Sequence, residues 1–226
     1  ALAIQIRDAA WQNAECIPSW VRGREVNLDQ YNTLPEVAVY CWSSFQTFLK
    51  KDGAVLKNYN VIEPSAGTGS FYDFLPKGRR IGIDVEKFRK EYTQADFLTW
   101  EPNYTDNRPC IAIGNPPFGY RGWLALAFLN HAAKFCEYVC FILPMSFQSD
   151  GKGSPKNRVQ GMKLVHSEHL AGDLFVLPND EKVQVNTLWQ IWKKGEAPPM
   201  PDLSKADEYI DLFTVDMRKK RLCGQK

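Results

Sequence analysis

Three short segments of the 226-residue chain carry residue types that can do chemistry. The first is Glu63-Pro64-Ser65-Ala66-Gly67-Thr68-Gly69. Its two glycines let a backbone turn tightly and approach a ligand closely. A helix starting at Phe71 would offer its N-terminal N–H groups to that ligand. The segment is neither Gly-x-Gly-x-x-Gly nor a Walker loop, since no Gly-Lys-Ser/Thr follows. An acid at its start would repel a pyrophosphate and suits a ligand with a positive charge and an amino group. A plain strand-to-helix turn accounts for the glycines equally well. The second segment is Asp84, 21 residues after Glu63. A carboxylate there can accept two hydrogen bonds from ribose hydroxyls. It can also cap a helix opening at Glu86. The third is Asn115-Pro116-Pro117-Phe118. Its prolines fix the loop and remove two N–H donors. The Asn115 side-chain oxygen and the Pro116 carbonyl remain as acceptors. Such a pair can hold both protons of a planar –NH2 group and so localise the nitrogen lone pair. Phe118 offers an aromatic face for a planar substrate.

These segments need a scaffold, and the surrounding pattern supplies one. Short apolar runs ending in small residues read as strands over 59–62, 80–85, 94–97, 110–114, 138–143, 173–177 and 187–193. Helices are expected over 35–49, 71–75, 86–91 and 123–135. Thr33, Pro35 and Glu36 look like the start of the first of these. Val37, Tyr40, Cys41, Phe45, Phe48 and Leu49 would line its inner face. Residues 1–26 read as a weak helix anchored by Trp11, Ile17 and Trp20. Residues 146–163 read as a long polar loop. Alternating strands and helices mean a parallel, doubly wound sheet, α/β in class. Ligands of such sheets bind beyond the carboxyl ends of the strands, where all three segments fall. The division expected is an N-terminal helical extension over 1–55, a core over 56–196 and a C-terminal extension over 197–226.

Glu63–Gly69 together with Asn115–Phe118 resembles the S-adenosylmethionine-dependent amino-methyltransferases of the N6-adenine type. The resemblance covers about residues 28 to 193. It implies a class I methyltransferase: a Rossmann-like, doubly wound, seven-stranded, mostly parallel sheet. It implies S-adenosyl-L-methionine as cofactor. Glu63, Ala66, Gly67 and Gly69 match the loop that binds the methionine part, and Asp84 matches the acid that binds the ribose. Ala95-Asp96-Phe97 matches an element that contacts the cofactor adenine. Gln30-Tyr31-Asn32-Thr33-Leu34-Pro35 is similar to an aromatic-Thr-Pro element over the methionine end, with Leu34 inserted; Tyr31 and Thr33 are its cofactor-side residues. Asn115, Pro116, Pro117 and Phe118 would form the catalytic loop, with Asn115 also touching the cofactor.

The implied reaction is direct methyl transfer to the N6 amine of adenine in nucleic acid, with DNA favoured over RNA. A base inside a duplex must first be flipped out. Phe118 and Tyr120 would then hold it. Arg121, Lys152, Lys156 and Arg158 are the candidate contacts to nucleic-acid phosphates. A solvated surface loop explains the last three equally well. DNA enzymes of this type usually carry a target-recognition region. Only 33 residues follow Lys193, too few for one, so the region is on a separate recognition chain, or was trimmed, or specificity is low. Competing readings are an RNA adenine methyltransferase, a protein glutamine methyltransferase, and a non-catalytic nucleic-acid-binding subunit. The glutamine enzymes usually have Tyr where Phe118 stands. Non-catalytic partners often lose the loop that is intact here.

Composition sets the outer bounds. Apolar residues make up 44% and charged residues 24%, so the chain is an ordinary globular one and not disordered. A net charge of +2 argues against a DNA-coating protein but allows an enzyme with one basic face. The six cysteines match neither a zinc pattern nor a disulfide framework, so buried reduced thiols are expected. His131, His166 and His169 read as structural or surface residues, and His166-x-x-His169 lacks a third metal ligand. No metal, no membrane span and no signal peptide are expected, and a cytoplasmic location follows.

Overall fold

The computed structural model describes residues 31–196, except 104, 105, 107, 152 and 178, together with two short C-terminal strands. The helix expected within residues 1–26, Gln30 and Lys152 lie outside the described residues, as does the Tyr120 side chain.

A seven-stranded sheet forms the centre. Its strands are β2 (Asn60–Glu63), β3 (Arg80–Asp84), β4 (Thr93–Gln94), β5 (Cys110–Gly114), β6 (Cys136–Pro144), β7 (Met162–Leu170) and β10 (Thr187–Lys194). Their spatial order is β4-β3-β2-β5-β6-β10-β7. The first five are parallel, and β10 runs antiparallel to both β6 and β7. The sheet is therefore α/β and mostly parallel, as the sequence implies.

Burial on both faces explains the near-continuous apolar strands. In β5, Cys110 and Ala112 join one core cluster, and Ile111 and Ile113 join the other. In β6, Val139, Phe141 and Leu143 alternate in the same way with Tyr138, Cys140 and Ile142. Helix α1 (Pro35–Lys51) covers one face with Val37, Ala38, Cys41, Trp42, Phe45 and Leu49. Phe45 meets Tyr138 edge-on at 5.9 Å. Just past the helix, Asp52 accepts hydrogen bonds from the Tyr138 hydroxyl and from Lys193. Helix α2 (Trp123–Ala132) covers the other face and is buried almost all round. Cys41, Cys110, Cys136 and Cys140 are free, buried thiols.

Several local expectations are corrected. Thr33 does not cap α1; Leu34 holds that position, with no side-chain cap. Tyr40 is exposed, and its hydroxyl reaches Glu168 on β7 at 3.1 Å. The segment 71–75 forms only a 3-10 turn over Tyr72–Phe74, because Pro76 and Gly78 stop it. No helix forms over 86–91. Its one large apolar residue, Phe88, gives a helix no face to bury. The 146–163 stretch ends in β7, a strand that its His166-Ser167-Glu168-His169 run disguised. As the edge strand it is free to be polar, since only β10 pairs with it.

A second, three-stranded sheet lies outside the first. It consists of β1 (Asn32–Thr33), β8 (Asp173–Val176) and β9 (Lys182–Gln184). The run read as a strand of the main sheet, 173–177, belongs here instead. In the tail, β11 (Thr214–Asp216) pairs with β12 (Arg221–Cys223). Among the described residues, no helix is long and apolar enough to cross a membrane.

Candidate active site

The strand order reverses at β2. The chain steps outward through β3 and β4, then returns to place β5 on the other side of β2. The β2 and β5 loops are thereby pushed apart at their ends, which opens a crevice there. A cavity of about 380 Å³ fills it.

The wall from β2 is the glycine loop. Its geometry comes from backbone hydrogen bonds: Ala66 N–H donates to Ile83 O at 2.9 Å and Gly69 N–H to Ala66 O at 2.8 Å. Gly67 and Gly69 both have positive φ, +46° and +98°. The Gly67 N–H donates to Asp84 Oδ2 at 2.8 Å. Asp84 Oδ1 accepts the Glu86 N–H at 3.0 Å. Oδ2 thus pins the glycine loop and Oδ1 the turn after β3, and a carboxylate oxygen can accept more than one hydrogen bond. Burial raises the Asp84 carboxyl above its ordinary value, the Glu86 and Gly67 N–H groups oppose that, and the charge of Glu86 adds to it. Asp96 and Phe97 stand farther along the same wall, with Val85, Glu86 and Phe88. Asp96 Oδ1 accepts the Leu98 N–H at 2.9 Å, while its Oδ2 is buried without a partner. Burial raises this carboxyl too.

The opposite wall is Asn115-Pro116-Pro117-Phe118. Asn115 Nδ2 donates to the Tyr31 carbonyl at 3.1 Å. A carbonyl can only accept, so the amide group is fixed with its NH2 toward Tyr31. Its Oδ1 is left buried and without a partner. Ser65 Oγ donates to the Asn115 carbonyl at 3.0 Å and ties the two loops together.

The expected residues therefore separate. Tyr31, Gly67, Asp84, Asp96, Phe97, Asn115, Pro116, Pro117 and Phe118 all line the cavity. Thr33, Glu63, Ala66 and Gly69 are buried behind it and do not line it. Thr33 contributes its carbonyl to Ser70 Oγ at 2.6 Å. Glu63 Oε2 is buried without a hydrogen-bond partner. The residue is almost fully buried, and burial pushes its carboxyl well above the usual carboxylate range. Arg121 is exposed, in a left-handed conformation at φ +55°. Lys156 pairs with Asp150, and Arg158 donates to Gly153 O at 2.8 Å. Both cations are engaged within their own loop, away from the cavity.

Sequence reasoning missed Asn32, Ser65, Val85, Glu86, Phe88, Phe128, Leu177 and Asp180 on the cavity wall. The last two come from the tip of the β8–β9 hairpin. The Asn179-Asp180 pair between two apolar runs was the available turn signal. Among the described residues, the wall carries Asp84, Glu86, Asp96 and Asp180 and no lysine or arginine. His131 is a core residue whose ring nitrogen meets Trp100 O at 2.7 Å. No described group of His, Cys, Asp and Glu is arranged to hold a metal ion.

No family model and no curated protein sequence matches the chain. Solved structures do. A protein from Pyrococcus horikoshii, provisionally described as an RNA methyltransferase, superposes with a TM-score of 0.53 at 17% identity. That match covers 85% of this chain and 97% of the other. The magnesium protoporphyrin IX methyltransferase of Synechocystis matches at 0.49 and 12%, over 86% and 98% of the two chains. A type I restriction enzyme modification subunit from Vibrio vulnificus, also provisionally described, matches at 0.47 and 14%, over 74% and 45%. At these identities the likeness is one of architecture, and the seven-stranded sheet with its antiparallel β10 is the class I methyltransferase fold.

Proposed function

We propose that the chain is an S-adenosylmethionine-dependent methyltransferase acting on the N6 amine of adenine in nucleic acid, with DNA favoured over RNA. The observation that carries this reading is the unpartnered Oδ1 of Asn115, a cavity-wall residue whose NH2 is taken up by the Tyr31 carbonyl. A buried acceptor without a partner costs about 1–3 kcal/mol. A substrate amine would satisfy it. The Pro116 carbonyl would be the second acceptor.

The residues present fit S-adenosylmethionine. A cavity walled by four carboxylates and no described cation suits a ligand that carries positive charge. The same wall would repel the phosphates of a dinucleotide. The unpartnered Asp96 Oδ2 and the apolar Val85, Ala95 and Phe97 would hold the adenosine end. Asp84 retains the lone pairs for the ribose, and the Gly67 loop would follow the chain of the ligand. When bound, the cofactor supplies a methyl group already activated by sulfonium charge. Asn115 and Pro116 then draw on the amine protons and aim the nitrogen lone pair. Phe118 presents its ring to the base. Alignment provides most of the rate, so no general base is required before transfer. A negative wall also keeps the nucleic-acid backbone outside, which favours entry of a single extruded base. Lys156 and Arg158 are tied up within their loop, which supports contacts from a separate target-recognition chain.

The test is transfer of labelled methyl from S-adenosylmethionine to duplex DNA, single-stranded DNA, structured RNA and bulk protein. Label appearing as N6-methyladenine in DNA is the expected result. Label in glutamine, or in no member of the panel, sinks the reading; label in RNA moves the substrate.

The carboxylates add a pH dependence. Asp84 and Asp96 both have raised pKa values, so each holds its proton more tightly in the folded protein than unfolded. Without ligand they lower stability as pH rises from the ordinary carboxylate range through the raised values. A cationic ligand needs them ionised, so its affinity rises across that same window and then levels off. Calorimetric titration with S-adenosylmethionine should show affinity falling on acidification, while neutral adenosine changes less. Equal affinity for the cation throughout the window would contradict this.

A further inference from the structure

The four carboxylates of the cavity are not equivalent. Asp84, Glu86 and Asp96 follow β3 and β4, on the outer side of the sheet from β2. Asp180 alone comes from the β8–β9 hairpin. The position of that hairpin is set by strand pairing. Asn32 is opposite Val176 and Thr33 opposite Phe175, in antiparallel register. Continuing that register brings Leu177 opposite Tyr31. The Tyr31 carbonyl in turn holds the Asn115 amide. Asn32 Oδ1 would lie 3.5 Å from a Cβ placed on Gly67. The hairpin tip therefore stands beside the seam between the glycine loop and the Asn115 loop.

In sheet order this seam, between β2 and β5, lies beyond β3 from β4, the strand that precedes Asp96. With adenosine held by Asp84 and Asp96, the amino-acid end of the ligand reaches that seam. Glu63 is the acid that the sequence pattern assigns to this end. In the structure its carboxylate is almost fully buried, with Oε2 unpartnered, and does not line the cavity. The amino-acid end then needs another anion, and Asp180 is the carboxylate the hairpin brings there. Its turn is closed by Asp180 N–H to Leu177 O at 3.0 Å and Leu177 N–H to Glu181 O at 2.9 Å. Asp180 sits in the left-handed region at φ +64°, which Asp and Asn tolerate better than most residues.

Resting on the methyltransferase reading, we infer that Asp180 is a ligand-binding residue whose carboxylate anchors the primary ammonium at the amino-acid end of the cofactor. The hairpin and the Gly67 loop then grip one ligand from two sides. Glu63 supports the loop from behind.

The experiment compares two ligands that differ only at that end. S-adenosylhomocysteine carries the amino acid; methylthioadenosine has the same nucleoside thioether without it. Both are titrated calorimetrically into the wild-type chain, Asp180→Asn and Glu63→Gln. Asparagine keeps the left-handed turn and removes the charge. The expected result is that Asp180→Asn weakens S-adenosylhomocysteine about ten-fold or more, as for loss of a charge-assisted hydrogen bond. Methylthioadenosine affinity should be unchanged, which also reports an intact fold. Unchanged S-adenosylhomocysteine affinity overturns the assignment, as does equal weakening of both ligands. A selective loss in Glu63→Gln but not in Asp180→Asn returns the role to Glu63. Failure of the wild-type chain to bind either nucleoside refutes the methyltransferase reading itself, and this assignment with it.

Discussion

Replacing Asn115 by alanine should lower the rate of methyl transfer by about a hundred- to a thousand-fold, the range seen when one preorganised polar group is removed from an active site. The substitution removes both ends of a small device. Nδ2 no longer holds the Tyr31 carbonyl, and Oδ1 no longer faces the amine. The backbone of residue 115 is still held by Ser65 Oγ, so the loop itself should stay in place. The loss should therefore fall mainly on kcat, and the KM for the cofactor should move much less. The Tyr31 carbonyl is left without its donor, at about 1 kcal/mol of stability. Single-turnover transfer with wild type and variant, alongside a thermal melt, checks this. A variant with activity within a few-fold of wild type would show that the acceptor on Asn115 is not what orients the amine.

The second large effect belongs to Gly69→Ala. Gly69 has φ +98°, where an L side chain is strained whatever the space. A methyl group there would lie 2.4 Å from Arg89 Nη2 and 2.7 Å from the Tyr92 hydroxyl. Arg89 must then leave the Thr68 carbonyl and Asp73, which it bridges behind the loop. Gly78→Ala provides the comparison. Its φ is +81°, yet nothing lies within 4 Å of the added methyl. Each variant should pay about 1–3 kcal/mol for the backbone alone. Only Gly69→Ala should also lose cofactor affinity, by about ten-fold or more, because the Gly67 N–H and Thr68 carbonyl shift with Arg89. Chemical denaturation and calorimetry on both variants separate the two effects. Equal cofactor affinity in the two alanine variants would show that the loop does not need this packing.

The residues proposed to do chemistry were legible because their types are unusual where they stand. A Gly-x-Gly after an acid, an aspartate ending a strand, and Asn-Pro-Pro-Phe at a strand end each restrict the backbone or the hydrogen bonding locally. Local restrictions survive in a sequence without reference to the fold. Period-two burial did the same for β5 and β6, whose residues alternate between two covered faces. Edge strand β7 was not legible, since it needs no apolar run when only β10 pairs with it. The helix expected over 86–91 failed for the opposite reason: its charges satisfied the local pattern, but it had nothing to bury.

The sequence by itself determined an α/β chain with a crevice and named nine of the twenty residues that line it. Only the tertiary structure decided which acids reach the cavity. Glu63, Asp84, Asp96 and Asp180 are alike as residue types, and spacing along the chain does not say where a carboxylate points. Glu63 is buried behind the glycine loop, while pairing of β8 with β1 carries Asp180 to the cavity from more than a hundred residues away. Likewise, the Asn115 amide has two possible faces in the sequence and one in the fold. A carbonyl from Tyr31, 84 residues earlier, accepts its NH2 and leaves the oxygen without a partner.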